Sequence, residues 1–204
     1  MRLVALLLVL ATSSVAAAEP DVAFAVNQPF GWAEGTLGAS GYFALAKHHA
    51  LRANVATYQE GATGEVVASV LFGGDDESIR KGRITDAGLS YVLFANKFCD
   101  GFFLELGALV RARDTYREDD FATPAIVDTD TTTIAGRGMI GWSWTISDSL
   151  FISLAVGLSG GHERGQETTA PFAFDPDRMR TTADVSRTTF EAEGFLRIGA
   201  MFDR

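Results

Sequence analysis

Residues 187–202 alternate without interruption. Even positions read Thr188, Phe190, Ala192, Gly194, Leu196, Ile198, Ala200 and Phe202; odd positions read Arg187, Thr189, Glu191, Glu193, Phe195, Arg197, Gly199 and Met201. A period of two is that of a β-strand, because successive side chains on a pleated backbone point to opposite faces. One face is aliphatic and aromatic, and the other carries charge and glycine. An apolar face of this length points to a barrel whose outside meets lipid and whose inside is polar.

Seven further segments share the rhythm. Residues 22–30 put Val22, Phe24 and Val26 on one face. Residues 35–46 set Leu37, Ala39, Phe43 and Leu45 against Thr36, Gly38, Ser40 and Tyr42. Residues 50–59 set Leu51, Ala53 and Val55 against Arg52, Asn54 and Tyr58, and residues 85–96 set Leu89, Tyr91 and Leu93 against Gly88, Ser90 and Asn96. The cleanest begins at Phe102, where Phe102, Leu104, Leu106, Ala108 and Val110 oppose Phe103, Glu105, Gly107, Leu109, Arg111 and Arg113. Residues 133–146 oppose Ile134, Ile140, Trp142, Trp144 and Ile146 to Thr133, Arg137, Ser143 and Thr145; residues 150–162 oppose Leu150, Ile152, Leu154, Val156 and Leu158 to Ser153, Gly157 and Ser159. Eight strands result, each long enough to cross a bilayer when tilted.

The connections alternate too. They are tight after the second, fourth and sixth strands and long after the third, fifth and seventh, at residues 60–84, 114–132 and 163–186. Short turns at one end with long polar loops at the other are an asymmetry of outer-membrane barrels. Within the first long loop, residues 65–72 (EVVASVLF) are apolar enough for a short helix or a strand extension.

Residues 1–18 have the layout of a secretory signal: Arg2, an apolar run over 3–11, and Ala16-Ala17-Ala18 before Glu19. The expected organisation is therefore a signal peptide at 1–18 and one barrel domain at 19–204. Without Arg2 the chain carries 16 basic and 26 acidic residues, a net charge of −10. Such a chain is not built to bind nucleic acid through bulk charge. A single cysteine, Cys99, excludes an internal disulfide. The mature chain has no apolar run that could serve as a transmembrane helix, so entry into a membrane requires closed strands.

A soluble lipocalin-like barrel also alternates, with its aliphatic face inside. Trp142 and Trp144, neighbours on one face near a short turn, instead match the aromatics at the edge of a lipid-facing band. The chain resembles the small eight-stranded outer-membrane β-barrels of Gram-negative bacteria, the OmpX-like and OmpA-barrel-like superfamily. The resemblance is architectural and covers nearly all of the mature chain. It implies an all-β, eight-stranded antiparallel up-and-down transmembrane β-barrel. It also implies outer-membrane lipid as partner, and recognition by the assembly machinery through the C-terminal residues. Arg197, Gly199 and Phe202 fit the frame of that signal, whereas Arg204 stands where a final aromatic is expected.

The polar face places Arg52, Glu105, Arg111, Arg113, Arg137, Glu191, Glu193 and Arg197 inside a narrow barrel, where charges require partners. A charge-paired plug is expected, with Glu105 and Arg197 at similar heights above the short-turn end and the individual pairings left open. His48 and His49 fall in a turn. His162, with Ser159 and Glu163 close in sequence, is the best available base for an alternative reading as a lipid-modifying barrel enzyme. Glu118, Asp119, Asp120, Asp128, Asp130, Asp175 and Asp177 make the long loops acidic, without a complete calcium-loop motif. The expectation is a monomeric structural or surface-interaction barrel displaying three acidic loops. No catalytic residue, cofactor or metal is assigned.

Overall fold

The computed structural model describes residues 22–27, 37–59, 79–119, 125–147, 149–171 and 180–202. Residues 1–18, where a signal peptide is expected, residues 65–72, Asp120, Asp175, Asp177 and Arg204 lie outside them. Eight strands form a closed antiparallel barrel in which each pairs with its sequence neighbours and the last returns to the first. They are β1 (Val22–Asn27), β2 (Leu37–Ala46), β3 (His49–Gln59), β4 (Ile79–Phe94), β5 (Gly101–Asp119), β6 (Ala125–Ser147), β7 (Leu150–Pro171) and β8 (Thr181–Phe202). Closure runs from Val22 opposite Phe202 to Asn27 opposite Arg197. A ring of this kind removes the unpaired edges that an open sheet would leave.

Two of the three long loops expected from sequence are mostly strand. Residues 114–119, 125–132, 163–171 and 181–186 continue β5 to β8, and β4 starts at Ile79 rather than Thr85. Polarity on both faces imitates a loop in sequence, but Thr129, Thr131, Thr132 and Thr133 are β-branched and well suited to a pleated backbone. Asp128 and Asp130 accordingly sit on β6 and not in a loop. The barrel is therefore lopsided. Strands β5–β8 run 19 to 23 residues, while β1 to β3 run 6 to 11.

Inward and outward positions alternate along every wall. The outward face keeps the large apolar side chains exposed, among them Leu37, Val55, Leu89, Ile134, Leu158 and Phe190. The alternative of a lipocalin-like carrier would turn this face inward, opposite to its placement here. The inward face holds charge in its middle and an apolar seal at the short-turn end. Tyr42, Phe94, Phe98, Phe103, Met139 and Phe151 form the seal, with Phe195 and Met201 packed against it.

Sequence reasoning missed the seal because its aromatics share parity with the charges. Glycines make it possible: Phe103 is paired with Gly141 and Phe151 with Gly199. A Cβ on either glycine would come within 2.5 Å of the ring opposite. The β4–β5 turn folds beneath the seal through Cys99, in left-handed backbone at φ 58°, and Gly101, at φ 83°. The Ser143 hydroxyl donates to the Cys99 carbonyl at 2.7 Å and holds the turn there.

Candidate functional site

Strand register dictates where the interior charges meet. One inward row across the strands reads Tyr42, Arg52, Ser90, Gly107, Arg137, Ser159 and Glu191. Another reads Asn27, Gly38, Ala56, Asp86, Arg111, Thr133, Glu163 and Arg187. Small residues interrupt both rows, among them Ser90, Gly107 and Ser159 in the first and Gly38, Ala56 and Thr133 in the second. They leave room for guanidinium groups in a lumen only as wide as its side chains.

The deepest cluster is a triad. Arg52 Nη2 lies 2.8 Å from Glu105 Oε1, and Arg197 Nη1 lies 3.2 Å from Glu105 Oε2. All three side chains are at most 1% exposed. Arg52 also donates to Ser40 Oγ at 3.2 Å and Asn54 Oδ1 at 3.0 Å, and Arg197 donates to the Tyr42 hydroxyl at 3.1 Å. Two cations thus share one carboxylate, and neutral oxygens take up further donors.

The middle cluster is denser. Arg111 grips Asp86 with two hydrogen bonds, Nε to Oδ1 and Nη2 to Oδ2, both at 2.8 Å. It also reaches Glu193 at 3.0 Å and pairs with Glu191. Arg137 Nε lies 2.6 Å from Glu193 Oε2, and Arg113 donates to Glu191 Oε1 at 2.8 Å. The Phe195 ring stands between the layers, 5.2 Å from the guanidinium carbon of Arg137 and equally far from that of Arg197.

The third cluster sits at the mouth. Glu163 accepts from Thr131 Oγ1 at 2.7 Å and Arg187 Nε at 2.5 Å, with Arg113 Nη1 at 3.3 Å. Burial pushes the Glu163 carboxyl up. The Thr131 and Arg187 hydrogen bonds and the Arg187 and Arg113 charges outweigh it and hold the carboxyl below its ordinary value. The Glu163 side chain is itself buried but that of Arg187 is 51% exposed, so this cluster meets water through Arg187.

All eight charges singled out from sequence lie in these clusters. Asp86, Glu163 and Arg187 were overlooked. Asp86 shares parity with Gly88 and Ser90 inside residues 85–96, and Glu163 with Ser153 and Ser159 one residue past 150–162, so following the alternation finds both. With them Arg52, Arg111, Arg113, Arg137 and Arg197 are matched by Asp86, Glu105, Glu163, Glu191 and Glu193.

Other candidates separate. His162 is exposed, whereas Ser159 and Glu163 are buried on the opposite face, so sequence proximity does not assemble a catalytic group. His162 Nε2 instead meets Ser186 Oγ at 3.3 Å across the strands. His48 Nδ1 lies 3.2 Å from the Phe94 carbonyl, and His49 pairs with the Tyr91 hydroxyl. Trp142 and Trp144 point outward on β6, each about half exposed. Phe202 points outward edge-on to Phe24, at 6.1 Å between ring centres. Gly199 has a packing reason of its own beneath Phe151.

The outward face changes character over three rows. Val55, Ala87, Val110 and Ile134 continue into His162 and Thr188. The next row reads Thr57, Thr85, Ala112, Thr132, Arg164 and Ser186. The third reads Gln59, Arg83, Asp114, Asp130, Gln166 and Asp184. The apolar surface ends here. Beyond it, the extended strands present hydroxyl, amide and charge.

No protein-family model matches the chain, and no curated protein does. Among solved structures it is similar to the crystal structure of a major outer membrane protein from Thermus thermophilus. The match covers 89% of this chain and 99% of that one at 8% identity, with a TM-score of 0.47. That likeness is too slight to bear on function.

Proposed function

We propose that the chain is an outer-membrane barrel of a Gram-negative bacterium. In this reading it is exported by its first eighteen residues, inserted by the outer-membrane assembly machinery and monomeric in lipid. One observation carries the reading: the polarity of the molecule is inverted. Arg52, Glu105 and Arg197 are shut away inside, while Leu, Ile, Val, Phe and Trp side chains cover the outside of all eight strands. A soluble monomer rarely exposes a contiguous apolar surface beyond a few hundred Å². A bilayer makes the same surface favourable, and closed strands satisfy their backbone groups without water.

Trp142 and Trp144 sit at the short-turn edge of the band, which would be the periplasmic interface. The extensions of β4–β8 would then stand above the outer leaflet. In place of two of the three acidic loops, the displayed element is this lopsided wall of strands with its connections. Its role is structural or interactive, with the packed lumen serving as a rigid foot. The aromatic seal and the paired charges above it favour little or no conduction. His162, parted from Ser159 and Glu163, gives the enzyme alternative no support.

Cell fractionation tests the reading. The protein is expected in the outer-membrane fraction, extracted only by detergent, and faster on a gel unheated than boiled. Recovery as a soluble periplasmic monomer would refute it. In planar bilayers the folded barrel is expected to be electrically silent.

A further inference from the structure

Just beyond the apolar band, the outer surface of β3 to β6 holds a hollow of about 510 Å³. Its lining is built from register pairs. Gln59 stands opposite Arg83, Arg83 opposite Asp114, and Tyr116 opposite Asp128. Gly82, opposite Thr115, is at φ 148°, a conformation that disfavours a side chain. A Cβ there would also run into the main chain of Asp114 and Thr115, so β4 and β5 approach at the hollow as only glycine allows.

The chemistry is selective. One amide, one guanidinium, two carboxylates and a phenol ring converge, with a formal charge of −1 from Arg83, Asp114 and Asp128. Planar acceptors and donors of this kind bind pairs of neighbouring hydroxyls, and an aromatic ring offers a face for the C–H side of a sugar ring. The volume falls in the range of small-molecule sites. The two carboxylates against one cation disfavour phosphate and other anions. We propose that this hollow is a binding site for a neutral saccharide, with Tyr116 as platform and Asp114, Asp128 and Gln59 as hydroxyl acceptors. The saccharide arrives either free or as the head of a glycolipid. The second source rests on the proposed outer-membrane orientation, which puts the hollow at headgroup level of the outer leaflet; the first does not.

The test uses the folded full chain in detergent against an array of neutral and anionic oligosaccharides. Binding to neutral members is expected, weakened about tenfold by Tyr116→Ala and by Asp128→Asn. Unheated gel mobility should be unchanged in both variants. Silence across the neutral array, preference for phosphorylated or sulfated members, or affinity indifferent to both substitutions would overturn the site. Repeating the assay with a bound saccharide attached to lipid in vesicles separates the sources. Free-sugar binding stands or falls without reference to membrane location, so failure here is distinguishable from failure of the barrel's proposed address.

Discussion

The deep triad and the mouth cluster use the same chemistry in different solvents. Arg52, Glu105 and Arg197 are sealed from one end by the aromatic layer and covered from the other by the Arg111 cluster. Glu163, Arg113 and Arg187 share the same kinds of contact, but Arg187 is half in water. In water, an ion pair gains little because each charge is already well solvated. Where water is excluded, each charge depends on the other, and losing one strands the rest. The difference shows that distance alone does not rank these contacts; the seal does.

The largest effect should come from breaking the triad. Glu105→Ala leaves two buried guanidinium groups facing each other and should destabilise the barrel by about 3–5 kcal/mol. Urea unfolding in micelles or vesicles measures it. A loss under about 1 kcal/mol would mean that water reaches the triad. Gly199→Ala tests the seal directly, because the added methyl collides with the Phe151 ring and the Phe24 carbonyl. Overpacking there should cost about 1–3 kcal/mol, with the mouth contacts intact.

Acid should attack the mouth through Glu163. Its carboxyl is depressed in the folded state, so its contribution is complete above the ordinary carboxylate value and disappears as pH falls through the folded value. Unfolding midpoints followed from about pH 6 to about pH 3 should therefore show a shallower acid decline in Glu163→Gln than in the parent. Identical slopes would show that Glu163 gains nothing from its partners. The smallest effect belongs to Arg187→Ala, at about 0–1 kcal/mol and weaker still in high salt. A loss equal to that of Glu105→Ala would erase the distinction between the two regions.

The barrel was legible in the sequence because period two survives wherever one face is apolar. Residues 102–112 and 187–202 needed little else to be recognised as strands. The same rule concealed the upper walls: in residues 128–132 and 163–169 both faces are polar, and alternation in hydrophobicity vanishes while alternation in direction continues. Glu163 was missed for that reason, whereas Asp86 was passed over within residues 85–96 although it shares the polar face of Gly88 and Ser90. The seal was hidden by composition, since Phe103 and Phe195 share a face with Glu105 and Arg197, and parity assigns a side without assigning a depth. The hollow at Tyr116 depends on contacts across four strands, and no local spacing announces it.

The central claim is that the outward band lies in acyl chains. It is tested most directly by Trp142 and Trp144 fluorescence in vesicles, with Trp32→Phe to remove the other tryptophan. Lipids brominated near the headgroup end of the acyl chain should quench the emission strongly, and those brominated near the chain terminus less. Emission indifferent to every brominated lipid, yet quenched by iodide in solution, would contradict the account.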